Sequence, residues 1–236
     1  FLIDASRGTA TRIPTPQWSG DPVWSPDGRR FAWKSRSRII EQAIFGGTAR
    51  VVIDDAKIGG IEDWSPDGKQ LIVDKTESAE HQVVAIPLNG GAPVSLAKSP
   101  SRLLDEPRLS PDGRWIVYNV DDSGRLEVYA GPVPATGERW PVSTGGAVQG
   151  RWRGDGRELY YLALDGTLMA VDFGAGAPPH IGTAHRLFDT GLQPTYNIDH
   201  FDAARDGKRF LIREPVGDAT QRFLKVVLNW TSGLKK

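Results

Sequence analysis

The chain has 236 residues, with 29 Lys plus Arg against 29 Asp plus Glu and no cysteine. Zero net charge removes long-range steering toward polyanions, so nucleic acid is not an expected partner, and without thiols neither disulfides nor thiolate metal sites can form. No apolar run approaches the roughly 18 residues that a membrane-spanning helix needs, whereas a chain of this length can bury about 70% of its unfolded surface as one all-β domain.

In chain order, Phe1 to Ile13 reads as the second half of a repeat unit with no first half before it. The chain starts at Phe1 rather than Met, so a processed product or an excised fragment is expected. Then comes Trp24-Ser25-Pro26-Asp27-Gly28, and it returns as Trp64-Ser65-Pro66-Asp67-Gly68 and Leu109-Ser110-Pro111-Asp112-Gly113. Eroded copies follow at Trp152-Arg153-Gly154-Asp155-Gly156 and Ala203-Ala204-Arg205-Asp206-Gly207. The marker aspartates are 40, 45, 43 and 51 residues apart, the period of a four-stranded propeller blade.

A mostly large apolar position ends a short strand in each unit, and Asp-Gly, preceded by proline in the first three, turns the chain, with proline presetting φ and glycine taking positive φ. A basic residue follows in all five units (Arg29, Lys69, Arg114, Arg157, Lys208), where it is expected to be solvated. Next stand β-rich runs such as Phe31-Ala32-Trp33, Leu71-Ile72-Val73 and Trp115-Ile116-Val117-Tyr118. A second, less regular hairpin completes each unit through glycine-bearing turns. Gly46-Gly47, Gly59-Gly60, Gly90-Gly91 and Gly145-Gly146 are read as turns, because no helical pattern follows to make any of them a phosphate loop. The turns that lose proline and serine, at Gly154 and Arg205, are expected to be less rigid.

These residues resemble the WD40-like PD40 repeats of the TolB-type β-propeller family over nearly the whole chain. The segments Leu109 to Tyr118, Gly145 to Trp152, Leu159-Tyr160-Tyr161 and Val226 to Trp230 are further similar to propellers C-terminal to bacterial membrane-anchored Ser/Thr kinases. The resemblance implies an extracytoplasmic or periplasmic setting, protein binding, and an upstream kinase domain as a partner in a parent protein. The fold expected is a single all-β propeller over 1–236, with units near 1–18 (partial), 19–58, 59–103, 104–146, 147–197 and 198–236 (partial). Five blades are favoured, the ring closed by N- and C-terminal strands sharing a blade, as an open ladder edge would otherwise remain; the alternative is a truncated six-bladed array.

Chemistry is sparser. There is no H-E-x-x-H or G-x-S-x-G. Stacking the columns before each marker gives Asp21, Ile61, Glu106, Gln149 and His200 at six residues before it. At seven before stand Gly20, Gly60, Asp105, Val148 and Asp199, and at four before Val23, Asp63, Arg108, Arg151 and Asp202. First strands are innermost in a propeller, so Asp21, Asp63, Asp105, Glu106, Arg108, Arg151, Asp199 and His200 are expected at one channel mouth as binding residues. One reading is a water-filled polar mouth in which the arginines pair the carboxylates, on a non-catalytic module that binds a protein, peptide or small molecule and needs no cofactor. The alternative is a metal-dependent hydrolase of esters, lactones or phosphotriesters holding a divalent cation, Ca or Zn, in the channel, with Asp21, Glu106, Asp199 and His200 as candidate ligands or bases. His81, His180, His185 and His200 are scattered over different units and depths; His180 and His185, five apart in a Gly/Pro-rich connector, read as solvated loop histidines, the alternative being Zn ligands with a third partner such as Asp189. Trp24, Trp64 and Trp152 occupy the repeat column and are expected in the core, whereas Trp18 and Trp140 lie off it beside loops.

Overall fold

A computed structural model describes residues 2–4, 7, 9–11, 22–77, 80–99, 104–121, 124–196, 198–216 and 221–228. They are all β and turn. A short hairpin, β1 (Leu2–Asp4) with β2 (Thr9–Thr11), precedes five larger sheets. The first sheet is β3 (Val23–Trp24), β4 (Arg30–Ser35), β5 (Arg38–Ala43) and β6 (Arg50–Asp54). The second is β7 (Ile58–Trp64), β8 (Gln70–Glu77), β9 (Glu80–Pro87) and β10 (Val94–Ser99). The third is β11 (Leu104–Leu109), β12 (Trp115–Asp121), β13 (Leu126–Pro132) and β14 (Trp140–Pro141). The fourth holds β15 (Ala147–Trp152), β16 (Glu158–Ala163) and β17 (Thr167–Gly174), the last pairing both β18 (His180–Ile181) and β19 (His185–Asp189). The fifth is β20 (Phe201–Ala203), β21 (Arg209–Val216) and β22 (Gln221–Leu228).

Each sheet is an antiparallel meander, and the five sheets agree with the propeller reading. Among the described residues no ladder joins β1–β2 to the fifth sheet. Gly59 and Gly60 correct the turn assignment: they lie inside β7.

The corners explain why the repeat has its spelling. Ser110 Oγ donates to Asp112 Oδ1 at 2.6 Å and accepts the Trp115 amide at 2.9 Å, while Asp112 Oδ1 also takes the Arg114 amide at 3.1 Å. The first two units repeat this through Ser25–Asp27 and Ser65–Asp67, at 2.6 and 2.7 Å. All five corner glycines have φ between 65° and 73° (Gly28, Gly68, Gly113, Gly156, Gly207), the left-handed region that a Cβ disfavours.

The eroded corners are held by other devices. Arg153 forks onto Asp155 at 2.8 and 2.9 Å in place of the serine, and that fork holds the Asp155 carboxyl down to about 2. Gly154 N–H donates to Arg205 O at 3.0 Å, and a Cβ on Gly154 would stand 2.7 Å from that oxygen, so glycine here admits the neighbouring corner.

Four apolar clusters fill the gaps between successive sheets. Each buried Val, Leu, Ile or Phe there contributes about 1.5–3 kcal/mol. Between the third and fourth sheets Trp115 and Trp152 both meet Phe173 edge-on, at 5.3 and 4.9 Å, and Trp140 meets Trp115 at 5.8 Å. Trp64 is buried, but Trp24 is 48% exposed, a correction to its expected place in the core. The column residue packs toward the preceding sheet, as Trp64, Leu109 and Trp152 do. Among the described residues no blade-sized sheet stands before β3 to receive Trp24.

Replacing Ser110 by Ala removes its bond to Asp112 and leaves the buried Trp115 amide without an acceptor. The expected loss is about 1–3 kcal/mol, read as a lower denaturant midpoint with an unchanged m-value.

Candidate functional site at the channel mouth

The first strands lie side by side around the axis in the order β3, β7, β11, β15, β20. Where they run into the corners they enclose a cavity of about 920 Å³. The whole column four residues before the marker lines it: Val23, Asp63, Arg108, Arg151 and Asp202. Asp199 and His200 line it too, as do Glu62, Arg205 and Arg213, which the column reading did not select.

Bulges aim these side chains. In β11 the register slips between Asp105 and Arg108, and in β15 between Val148 and Arg151. Each bulge contains a non-glycine residue with positive φ, Glu106 at 53° and Gln149 at 59°. Such bulges bend the strand and re-aim side chains at channel rims. β7 slips at Ile61/Asp63 instead, so Glu62 is the extra residue there and faces the cavity while Ile61 joins the core.

Arg151, buried, pairs through Nη2 with Glu106 Oε2 at 3.0 Å and with Asp199 Oδ1. Arg108 Nη2 reaches Glu106 at 3.3 Å and Asp199 at 3.4 Å, and its Nη1 lies 4.0 Å from Glu62 Oε2. Burial pushes the Glu106 carboxyl up against the pull of Arg151 and Arg108. Asp199 is buried less and is held below the usual carboxylate range, the two arginines outweighing its desolvation.

Other predicted residues act between sheets. Asp63 accepts the Leu109 amide of the next sheet at 3.0 Å and the Trp64 amide at 2.8 Å, and burial raises its carboxyl. Gln149 donates to Ile198 O at 2.8 Å and Asp199 Oδ1 at 3.1 Å, and accepts the His200 amide at 2.8 Å. His200 Nε2 meets both Thr195 N, at 2.9 Å, and Thr195 O, at 3.0 Å, and burial depresses its pKa. Asp105 lies on β11 opposite Asn119, outside the cavity lining. Asp21 and Trp18 lie outside the described residues. His180 and His185 are exposed on separate strands. Among the described residues no group of three His, Cys, Asp or Glu is arranged to hold a metal ion.

Five meander sheets wedged around a mouth that is crossed by ion pairs define a β-propeller. The model of the TolB β-propeller domain (PD40) matches residues 9–175, and the chain belongs to that family. An uncharacterized protein of Agrobacterium fabrum is 28% identical over 110 residues, which are 44% of this chain and 37% of that protein. TolB from Acinetobacter baumannii superposes with a TM-score of 0.69 at 17% identity, covering 89% of this chain and 52% of that one. A candidate TolB from Agrobacterium tumefaciens gives 0.70 at 16% identity, with 92% and 79% covered. The chain thus spans little more than a third of its curated relative and about half of the Acinetobacter TolB, and these structural likenesses show the fold alone.

Removing the Arg151 guanidinium leaves Glu106 and Asp199 facing each other with only Arg108 between them. Arg151→Met is expected to cost about 3 kcal/mol or more, and adding Glu106→Gln to recover most of it. Urea melts of the two variants check this, and a second loss as large as the first would contradict it.

Proposed function

We propose that the chain is a non-catalytic binding module that receives a protein segment, peptide or small ligand at the channel mouth. The observation that carries this is the contrast between an open cavity and its committed floor. The cavity, about 920 Å³, has the volume of a ligand site. Beneath it, Glu106 and Asp199 are taken by arginines, Asp63 by two backbone amides and His200 by Thr195. A general base or a metal ligand needs a lone pair aimed at substrate or ion. Here those of Glu106 and Asp63 and one oxygen of Asp199 join neighbouring units, and His200 is turned to Thr195 five residues away.

The rim has groups to spare. Asp202 has a side chain 73% exposed, and Arg205 is exposed where the other units carry proline or glycine. Charged rim groups of this kind set partner choice and approach. The family likeness supports an extracytoplasmic setting, and the upstream kinase domain of a parent protein is proposed only from the resemblance of the segments Leu109 to Tyr118, Gly145 to Trp152, Leu159-Tyr160-Tyr161 and Val226 to Trp230.

Peptides selected from a displayed random library against the chain provide the probe. Arg205→Ala and Asp202→Ala are each expected to weaken the selected peptides about tenfold, while Phe45→Ala, 93% exposed and outside the cavity lining, leaves them unchanged. Equal binding by all three variants sinks the reading. Turnover of an ester, lactone or phosphotriester that is lost on chelation would replace it with the hydrolase alternative.

A further inference from the structure

Gly59 and Gly60 stand in the innermost strand of the second sheet, and the reason lies across the ladder at Asp74 of β8. A Cβ on Gly59 would overlap Asp74 Oδ2. One on Gly60 would sit 2.8 Å from Asp74 Oδ1 and 2.9 Å from Glu62 Oε1. Two carboxyl groups therefore converge over one bare Cα. Glycine inside a strand commonly marks such a close approach.

The surroundings favour one negative charge over two: the Gly60 amide and Lys34 favour an ionised Asp74, against the burial of both carboxyls. Glu62 is mostly buried, with a side chain 18% exposed. The charged groups facing the pair are Lys34 from β4, and Asp105, Glu106 and Arg108 from β11. Lys34 Nζ donates to Gly59 O at 2.6 Å, and Arg108 already serves Glu106 and Asp199. Two carboxyls this close in so little water retain a proton between them. In keeping with this, burial drives Glu62 well above the usual carboxyl range and raises Asp74 as well.

We propose that Glu62 and Asp74 share one proton at neutral pH, and that its loss draws Arg108 from Glu106 and Asp199 toward Glu62, so that binding at the channel mouth weakens as pH rises. The step is a simple ionisation: the proton leaves to solvent, and the charge left on Glu62 competes for a guanidinium now 4.0 Å away. Arg108 and Glu62 both line the cavity, so the exchange alters its floor. The last step rests on the binding reading above; the shared proton does not.

The sign follows from linkage. A carboxyl raised in the folded state contributes stability that is present at low pH and lost as pH climbs through its folded value. Between the unfolded and folded values unfolding releases one proton, so the unfolding constant rises about tenfold per pH unit.

Infrared spectroscopy of the free chain at pH 7 is expected to show the carbonyl stretch of an un-ionised carboxylic acid, reduced in Glu62→Gln/Asp74→Asn. The double variant, whose amides mimic the protonated pair, is expected to lose about one proton of pH dependence in its unfolding constant. An identical acid band in both proteins, or identical pH slopes, overturns the shared proton. Should the double variant not fold, the wild-type spectrum decides: a band absent at pH 7, or one that persists into strong alkali, overturns it. Mouth-binding peptides are expected to weaken about tenfold as pH rises through the loss of that acid band in the wild type and to be insensitive in the double variant. If the proton is found and their affinity is flat, the coupling to Arg108 is overturned. If no peptide depends on Arg205 or Asp202, the binding reading fails and takes that coupling with it, while the spectrum still decides the proton.

Discussion

In three of the five units a serine hydroxyl pointing at the aspartate two residues on sets the corner from which the rest of the blade is measured. In the third unit the same Ser110 Oγ donates to Asp112 and accepts from Trp115, so one small group ties the end of the first strand to the start of the second. The pair is part-buried and charge-assisted, which makes it stronger than a neutral bond of the same length. Once the corner is set, the distance from the aspartate back to the channel is set too. The residue four places earlier then reaches the cavity in every unit, whatever its chemistry.

The corner alone would leave five separate sheets. Apolar clusters supply most of the adhesion between them, but they do not choose a register, because valine against leucine tolerates sliding. Polar contacts that cross the gaps do choose one: Lys34 to Gly59 O, Asp63 to the Leu109 amide, Arg151 to Glu106, Gln149 to Ile198 O. Each connects a sheet to the next, and each is lost if the sheets slip by one residue. A buried ion pair often contributes little net stability, since desolvation offsets its attraction. Its value in this ring is therefore positional, and the arginines of β11 and β15 serve as keys between sheets.

How far the mouth was legible in the sequence follows from the same geometry. The column nearest the corner was legible: Asp63, Arg108 and Arg151 line the cavity, as expected from counting back. Counting further back crosses the bulges, where one strand gains a residue and the two-residue alternation breaks. Val148 and Ile61 consequently turn into the core. Glu62 was missed for the same reason, and Gly59-Gly60 was read as a turn although paired glycines inside a β-rich run also signal a close approach. Trp24 differs because a repeat column foretells burial only where a preceding sheet receives the side chain, and among the described residues none does. The eroded units carry contacts that the motif does not foretell, the Arg153 fork on Asp155 and the Gly154–Arg205 hydrogen bond.

Glu106 and Gln149 join backbone strain to inter-sheet bonding. Each is a non-glycine residue held at positive φ, a conformation that costs of order 1–3 kcal/mol and persists only when its surroundings fix it. Both occupy the same place in successive first strands, and both side chains are buried. Relaxing either backbone to the extended region would swing its side chain off the axis, so Glu106 would lose Arg151, and Gln149 would lose Ile198 and His200. The strain and the inter-sheet contacts therefore hold each other in place. A meander sheet in isolation has no use for a left-handed residue in its first strand; a ring whose neighbouring sheets must be joined across a polar axis does.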